Sequence, residues 1–249
     1  DGRAGTIASS GQRWNFLPVI NYQSSMRIRS DFDRNYVEEA QEEFEMAESH
    51  LDSALQHTRE SDKPNHAADF VNSQRCMERS TKAVFRLMDV QYPNNHAIGP
   101  DSQPGRNLLN AISEEIKSLV RSQSVKLSTE EEAAEKHTRA VSRLMFLCEM
   151  YGNMYTLASY GIDESDFQLS PNKLIEEGES ASALESAVTG LRIAAAVIDS
   201  IATGELPRTD RPTAIQGPME NRSGIDTQFY DVGKQLTRND PVSDYRRQL

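Results

Sequence analysis

The sequence contains few residues that cross-link or interrupt a fold. It has only two cysteines, Cys76 and Cys148, among 249 residues, which is too few for a disulfide framework. Both stand beside apolar positions in helical patterns, so we interpret them as buried free thiols in a reducing compartment. No glycine occurs between Gly11 and Gly99. This absence allows long, uninterrupted helices in that part of the chain.

Long apolar runs and known chemical signatures are also absent. No stretch approaches the ~20 apolar residues that cross a bilayer, and there is no signal-peptide core. We therefore expect a cytoplasmic protein without membrane contact. The motifs HExxH, CxxC, GxxxxGK and GxGxxG do not occur, and each of these would point to a metal or a phosphate-containing cofactor. We expect no metal and no cofactor.

The charge of the chain is unevenly distributed. The formal net charge is -11, of which residues 1–34 carry +2, residues 35–203 carry -13 and residues 204–249 carry zero. An acidic surface repels polyanions. The balance therefore argues against a general nucleic-acid binder, and it separates an acidic central region from two arms.

The first 33 residues show neither a helical nor a strand period, yet they hold a cluster of large apolar side chains. Trp14, Phe16, Leu17 and Tyr22 belong to it, whereas disordered tails are poor in such residues. We interpret residues 1–33 as an extended arm that docks on a partner or on the chain itself; a simple linker is the alternative. Residues 204–249 are proline-containing and read as an extended or flexible second arm.

Residues 34–203 predict five helices and no strand, so we expect an all-α, five-helix antiparallel bundle. The first two helices should form an antiparallel hairpin. The fourth should carry a capping box after Ser128 or Thr129. The predicted spans are about 34–60, from a cap at Asp62 to the Tyr92-Pro93 pair, about 106–123, about 129–160 and about 178–203.

Polar residues on the second helix suggest two alternatives. Glu78 and Lys82 stand four residues apart in the order that favours an ion pair, and Gln74 lies on the same face. They are either an ordinary surface pair or a partly buried network that sets the helix register or reaches a ligand such as a phosphate. His96, after Tyr92-Pro93, either ties its loop to the bundle or binds a ligand.

Two further groups of histidines have simpler interpretations. Glu43, His50 and His57 are seven residues apart on one helix face, which places successive residues about 10 Å apart. One metal ion cannot reach all three, so we interpret them as a helix edge. His137 falls on the inner face of the fourth helix and is interpreted as a core or interface histidine.

Residues 35–203 resemble the HEPN family of helical-bundle domains. The resemblance rests on three stretches of small, apolar and polar residues. They are Ala47–Leu55 (AESHLDSAL), Gln74–Val84 (QRCMERSTKAV) followed by Tyr92-Pro93-Asn-Asn-His96, and Tyr155–Gly161 (YTLASYG) followed by a helix rich in small residues.

The resemblance implies an all-helical bundle that often dimerises and, in many members, associates with RNA or nucleotides. Some members are metal-independent ribonucleases in which four to six residues separate an arginine from a histidine. There the imidazole moves a proton at the ribose 2′-hydroxyl and the guanidinium stabilises charge on the phosphate. Here nine residues separate Arg86 from His96. The only pair with matching spacing is Arg59 and His66, in the predicted loop between the first two helices.

These observations give two hypotheses. The favoured one is a non-catalytic HEPN-like module for interaction or assembly, which docks on partner chains or on copies of itself through its arms and helix faces. The alternative is a HEPN-type ribonuclease, of the kind found among toxins, or an RNA- or nucleotide-binding protein. For the alternative, Arg59, His66 and His96 are the candidate catalytic residues, and an enzymatic activity is not expected from the sequence itself.

Overall fold

The computed structural model describes residues 28–60, 65–123, 129–164 and 167–206. Of these residues 77% are helical, and the predicted all-α class is confirmed. Most of the predicted arms, including Trp14, Phe16, Leu17 and Tyr22, lies outside the described residues. The end of the first arm is described, and there Ile28 and Phe32 pack against the hydrophobic core.

Helices α1 (Arg34–Glu60) and α2 (His66–Leu87) form the central hairpin. Ion pairs join Arg79 to Glu43 and Arg86 to Glu39. Arg86 follows Arg79 along α2, whereas its partner Glu39 precedes Glu43 along α1. The two helices are therefore antiparallel. Every third or fourth residue of α1 faces inward and is buried, which is the pattern of an amphipathic helix: Val37, Ala40, Phe44, Ala47, Leu51 and Ala54.

The bounds of α2 differ from the prediction at both ends. The cap is Asn65, whose side chain accepts a hydrogen bond from the Ala68 N–H at 3.1 Å, so the prediction of Asp62 as cap is wrong. The helix ends at Leu87, five residues before the Tyr-Pro pair, because Asp89 adopts a φ of 50°, outside the right-handed helical region. The stretch from Val90 to His96 is therefore loop.

Helix α3 (Gln103–Ser122) begins three residues before the predicted start at about 106, and α4 (Glu130–Gly152) begins after Thr129, one of the two predicted caps. The Ser102 side chain accepts from the Gly105 N–H at 3.1 Å. Thr129 and Glu132 form the predicted capping box, with the hydroxyl at 3.2 Å from the Glu132 N–H and the carboxylate at 3.2 Å from the Thr129 N–H.

The predicted fourth helix is interrupted before residue 160. Helix α4 ends at Gly152, and a separate short helix α5 follows (Tyr155–Tyr160). Gly161, with a φ of 74°, ends α5 and leads into a two-stranded antiparallel hairpin that the sequence did not predict. It consists of β1 (Ile162–Glu164) and β2 (Phe167–Leu169), and a one-turn helix α6 (Pro171–Leu174) comes next.

Helix α7 (Glu177–Thr203) packs against α1, α2 and α4 and ends at Gly204, which has a left-handed φ of 75°. Its Gly190 allows close packing, since an added Cβ would lie 3.1 Å from Leu144 Cδ1 of α4. By length and composition alone α7 is apolar enough to cross a membrane. Half of its apolar window is buried inside the bundle, as in the core helix of a globular fold, so this observation is weak evidence for a membrane span.

Candidate functional site

The structure brings the three predicted polar residues of α2 together with His96. Glu78 is at the centre, and its side chain is only 8% exposed. Lys82 Nζ donates to Glu78 Oε1 at 2.6 Å, and His96 Nδ1 lies 2.9 Å from Glu78 Oε2. Gln74 Nε2 lies 3.4 Å from the same Oε2. We call Gln74, Glu78, Lys82 and His96 the Glu78 cluster.

The backbone of His96, like its ring, is held by contacts with the helices. Its carbonyl oxygen accepts from Gln74 Nε2 at 3.3 Å and from Cys148 Sγ at 3.7 Å. Gly152 on α4 faces the same carbonyl so closely that a Cβ there would collide with it. His96 therefore ties its loop to α2 and to the end of α4, which is the first of its two sequence-based interpretations.

The charges of the Glu78 cluster compensate each other inside the bundle. Burial raises the pKa of the Glu78 carboxyl, but hydrogen bonds from Lys82 and His96 outweigh burial and lower this pKa overall. The Lys82 ammonium also lies 5.0 Å from the centre of the Tyr92 ring. Burial raises the pKa of the Tyr92 phenol. The cluster is therefore an ionised network in which both oxygens of the Glu78 carboxylate already have hydrogen-bond partners.

Two residues that the sequence did not single out complete the surroundings of His96. The His96 ring stacks on Tyr155 of α5 with centroids 4.4 Å apart. Arg75 Nη2 donates to the Tyr155 hydroxyl at 3.1 Å, and this hydrogen bond lowers the pKa of Tyr155. An arginine and a histidine thus meet on one tyrosine, although 20 residues separate them in the sequence.

The remaining candidate catalytic pair does not join this group. His66 is the first residue of α2 and lies 12 residues before Glu78, which is about 18 Å along a helix. Arg59 belongs to the last turn of α1 rather than to the predicted loop, and its side chain lies outside the described part. His66 and His96 are therefore at different places on the bundle.

Three further titratable residues singled out in the sequence are buried in the structure. His137 is buried, and its Nδ1 lies 2.8 Å from the Ala133 carbonyl oxygen, as expected for a core histidine. Cys76 and Cys148 are buried free thiols. Burial raises their pKa values to about 12 and about 11, which leaves both thiols protonated and unreactive at neutral pH.

Glu43 binds Arg79, and the side chain of His57 is outside the described part. Among the described residues no group of three or more His, Cys, Asp and Glu side chains is placed to hold a metal ion. A small pocket between α1 and α7 has room for only about 10 Å³ of solvent, too little for any ligand larger than a water molecule. Its lining residues are Val37, Gln41, Phe44 and Ile198.

A second feature is an exposed apolar stripe on α4 and α5. Phe146 is 54% exposed and Tyr160 73%, and Met150 and Leu157 lie between them. Asn153 and Met154 keep right-handed helical dihedral angles between the two helices. The four side chains therefore fall within a sector of about 80° on a helical wheel. We call Phe146, Met150, Leu157 and Tyr160 the α4–α5 face.

The described chain thus belongs to the all-α class, with one internally paired polar cluster and one exposed apolar face. No family model, no curated protein and no solved structure matches this sequence. The assignment of roles to its residues depends on the sequence and the geometry.

Proposed function

We propose that this chain is a non-catalytic HEPN-like helical bundle that assembles with protein partners or further copies of itself. The α4–α5 face is the observation that carries the proposal. Isolated exposed apolar side chains are common on protein surfaces, but a contiguous group is typical of an interaction site. Of the five large apolar side chains that are exposed in the described chain, four belong to this face, and the fifth is Met46 on α1.

The state of the Glu78 cluster supports a structural role for the residues that carry the family resemblance. A general acid or base needs an accessible group free to exchange a proton with a substrate. Glu78 is instead buried and bonded to Lys82 and His96. These contacts hold the loop that links α2 to α3. Such a network fixes a packing arrangement and suits a scaffold for binding.

The HEPN-like arrangement itself is part of the proposal. It is supported by the central α1–α2 hairpin, by the Glu78–Lys82 pair on α2, and by a loop histidine packed against them. The long helix α7, rich in small residues, also follows α4 and α5 in the expected order. The short β1–β2 hairpin between α5 and α7 is an addition to the expected pattern.

Sedimentation of the full chain over a wide range of protein concentrations tests the proposal. Phe146→Asp together with Met150→Asp places charge on the face without touching the core, and we expect it to weaken self-association about tenfold or more. Met46→Asp is the matched control, since Met46 is 45% exposed on α1 and should leave association unchanged. Identical sedimentation of wild type and the double variant at every concentration would contradict the proposal.

A second candidate function is a HEPN-type metal-independent ribonuclease or an RNA- or nucleotide-binding protein. The contact of Arg75 and His96 with Tyr155 is the observation that favours it. The His96 side chain is 55% exposed and stacks on the same tyrosine that the Arg75 guanidinium binds, so a proton-transfer group and a cation for a phosphate share one neighbour.

RNA cleavage with a chelator present separates the two functions. The ribonuclease candidate expects cleavage by wild type and its loss in His96→Ala and in Arg75→Ala. His66→Ala is the matched histidine control, because His66 lies far from Tyr155. No cleavage by the wild-type protein rejects the ribonuclease, and RNA or nucleotide binding without cleavage would leave a binding protein.

A further inference from the structure

Two apolar surfaces occur in this chain, and their chemistry is complementary. One is the segment Trp14–Tyr22 (WNFLPVINY), which precedes the first described residue. The other is the α4–α5 face, which the described residues leave exposed to solvent. Burial of large apolar side chains against each other yields about 25 cal/mol per Å². Each surface therefore gains free energy if it is covered by the other.

The described chain begins near the start of α4. The Arg29 N–H donates to the Ala202 carbonyl oxygen at 3.0 Å, and the Arg29 guanidinium binds Glu115 of α3 at 2.6 Å. The same end of the bundle contains the beginning of α4, because Arg121 near the end of α3 pairs with Glu130 at 2.7 Å. The chain before Ile28 therefore starts from the end of the bundle where α4 starts.

The preceding chain is long enough to reach the face. Phe146 is 16 residues after Glu130 and Met150 is 20 residues after it, about 24 Å and about 30 Å along α4, and α5 begins three residues after the end of α4. From Ile28, the extended chain reaches up to ~20 Å at Tyr22 and up to ~48 Å at Trp14. The Trp14 end of the segment can therefore reach Phe146 and Met150, with up to ~18 Å of chain left for crossing between helices.

Charge and tethering favour the same pairing. Residues 1–27 carry Arg3, Arg13 and Arg27 against Asp1, a net charge of +2, while residues 35–203 carry -13. Opposite charges draw the segment toward the bundle. A segment tethered by a short linker that can span the distance has an effective concentration in the millimolar range. Docking within one chain then competes well against docking between chains.

We propose that the Trp14 end of the segment Trp14–Tyr22 lies on the α4–α5 face of its own chain, with Trp14, Phe16 and Leu17 over Phe146, Met150, Leu157 and Tyr160. A partner chain must displace this segment before it binds the face. The inference rests on the proposed function, since it names the resident occupant of the proposed interaction surface. It also makes the arm a competitor that limits assembly.

The fluorescence of Trp14 tests the docking directly, because this is the only tryptophan in the chain. In the full chain at low concentration we expect a short-wavelength emission maximum and weak quenching by iodide. Phe146→Asp with Met150→Asp should shift the emission to longer wavelength and raise the iodide quenching. Met46→Asp should change neither, and circular dichroism checks that each variant keeps its helices. If the double variant unfolds, Leu157→Ser with Tyr160→Ser makes the same test.

The outcomes distinguish the docking from the proposed function. Solvent-exposed Trp14 in the wild type, or an emission that no face variant shifts, overturns the docking. A short-wavelength emission that is lost on dilution also overturns it, because docking between copies depends on concentration. Sedimentation of Trp14→Ser with Phe16→Ser is the second measurement. Stronger association than wild type supports the competition, and weaker association overturns it. Face variants without effect on any association contradict only the proposed function.

Discussion

Glu48 is a partly buried acid with two acidic neighbours on the same face of α1. Burial raises the pKa of its carboxyl from 4.5 to about 7, and the nearby charges of Asp52 and Glu45 add to the effect. The folded state therefore binds this proton more tightly than the unfolded state does. Its contribution to stability is fully present below about pH 4.5 and is lost as the pH rises through about 7.

Replacement of Glu48 with glutamine should make the protein more stable at alkaline pH. The whole shift corresponds to about 3 kcal/mol by linkage, and solvent screening of this partly exposed group reduces our expectation to about 1 kcal/mol at about pH 8. At about pH 4.5 little difference should remain. Urea unfolding at both pH values measures the difference in free energy of unfolding between Glu48→Gln and the wild type. The exposed Glu42→Gln is the control. An equal change in unfolding free energy at both values would contradict the interpretation.

Glu78 should respond to pH in the opposite direction. Its pKa is lowered in the folded state, so its contribution is present above the ordinary pKa of a glutamate and is lost as the pH falls through the lowered value. Glu78→Gln should lower the free energy of unfolding by about 1.5–3 kcal/mol at neutral pH, since it weakens two charge-assisted hydrogen bonds. In acid the difference should shrink.

Urea unfolding across the acid range checks this expectation. Glu114→Gln is the control, because Glu114 pairs with Lys117 on the surface and its side chain is 70% exposed. That change should cost at most a few tenths of a kcal/mol. A Glu78 variant as stable as the Glu114 variant at neutral pH would show that the Glu78 cluster does not hold the loop.

At the scale of elements, the contact between the His96 loop and α4 requires a glycine. A Cβ at position 152 would collide with the His96 carbonyl oxygen and lie 2.9 Å from Ala97 Cβ. Gly152→Ala should therefore displace the loop and lower the free energy of unfolding by about 1–3 kcal/mol. Gly178→Ala is the matched control in the first turns of α7, where nothing lies within 4 Å of the added Cβ.

The control should be neutral or stabilise the helix by up to about 1 kcal/mol, because alanine is the better helix former. The ring signals of His96 report the loop in nuclear magnetic resonance spectra. They should shift in Gly152→Ala and stay unchanged in Gly178→Ala. Unshifted His96 signals in a Gly152→Ala protein would mean that the loop accommodates the methyl group.

The regular helices could be predicted from the sequence because their apolar period and caps are local signals. Helix α1 was predicted at its observed bounds, and the Thr129–Glu132 capping box was predicted by spacing alone. The ends of α2 and the β1–β2 hairpin were not. Asn65 and Asp62 are both residue types that cap helices, so the sequence alone did not separate them, and the hairpin has only three residues in each strand.

The candidate site was predictable only in part for the same reason. Glu78 and Lys82 are neighbours on one helix, so four-residue spacing was enough to pair them. The contact of Arg75 with Tyr155 joins residues 80 positions apart. It depends on the direction that α5 takes after the interruption at Asn153 and Met154. The apolar period of the sequence does not predict this direction.

At the scale of the whole molecule, the surplus of acidic residues should make stability depend on salt. Residues 35–203 carry a charge of -13, and self-repulsion of this kind weakens the compact state. We expect the free energy of unfolding to rise by about 1–2 kcal/mol as NaCl increases from ~10 mM to ~0.5 M, since the screening length falls. The same titration near the isoelectric pH is the control and should show a smaller rise. A fall in stability with salt would contradict the expectation.

Both flanking segments leave the described chain side by side. Arg29 is bonded to the Ala202 carbonyl oxygen, and Arg29 Cδ would lie 2.8 Å from a Cβ at Gly204. A pulling force applied through the two segments would therefore act at one end of the bundle. Contacts would break one after another from that end. The contacts of Arg29 with Ala202 and Glu115 would break before those at the opposite end of the bundle.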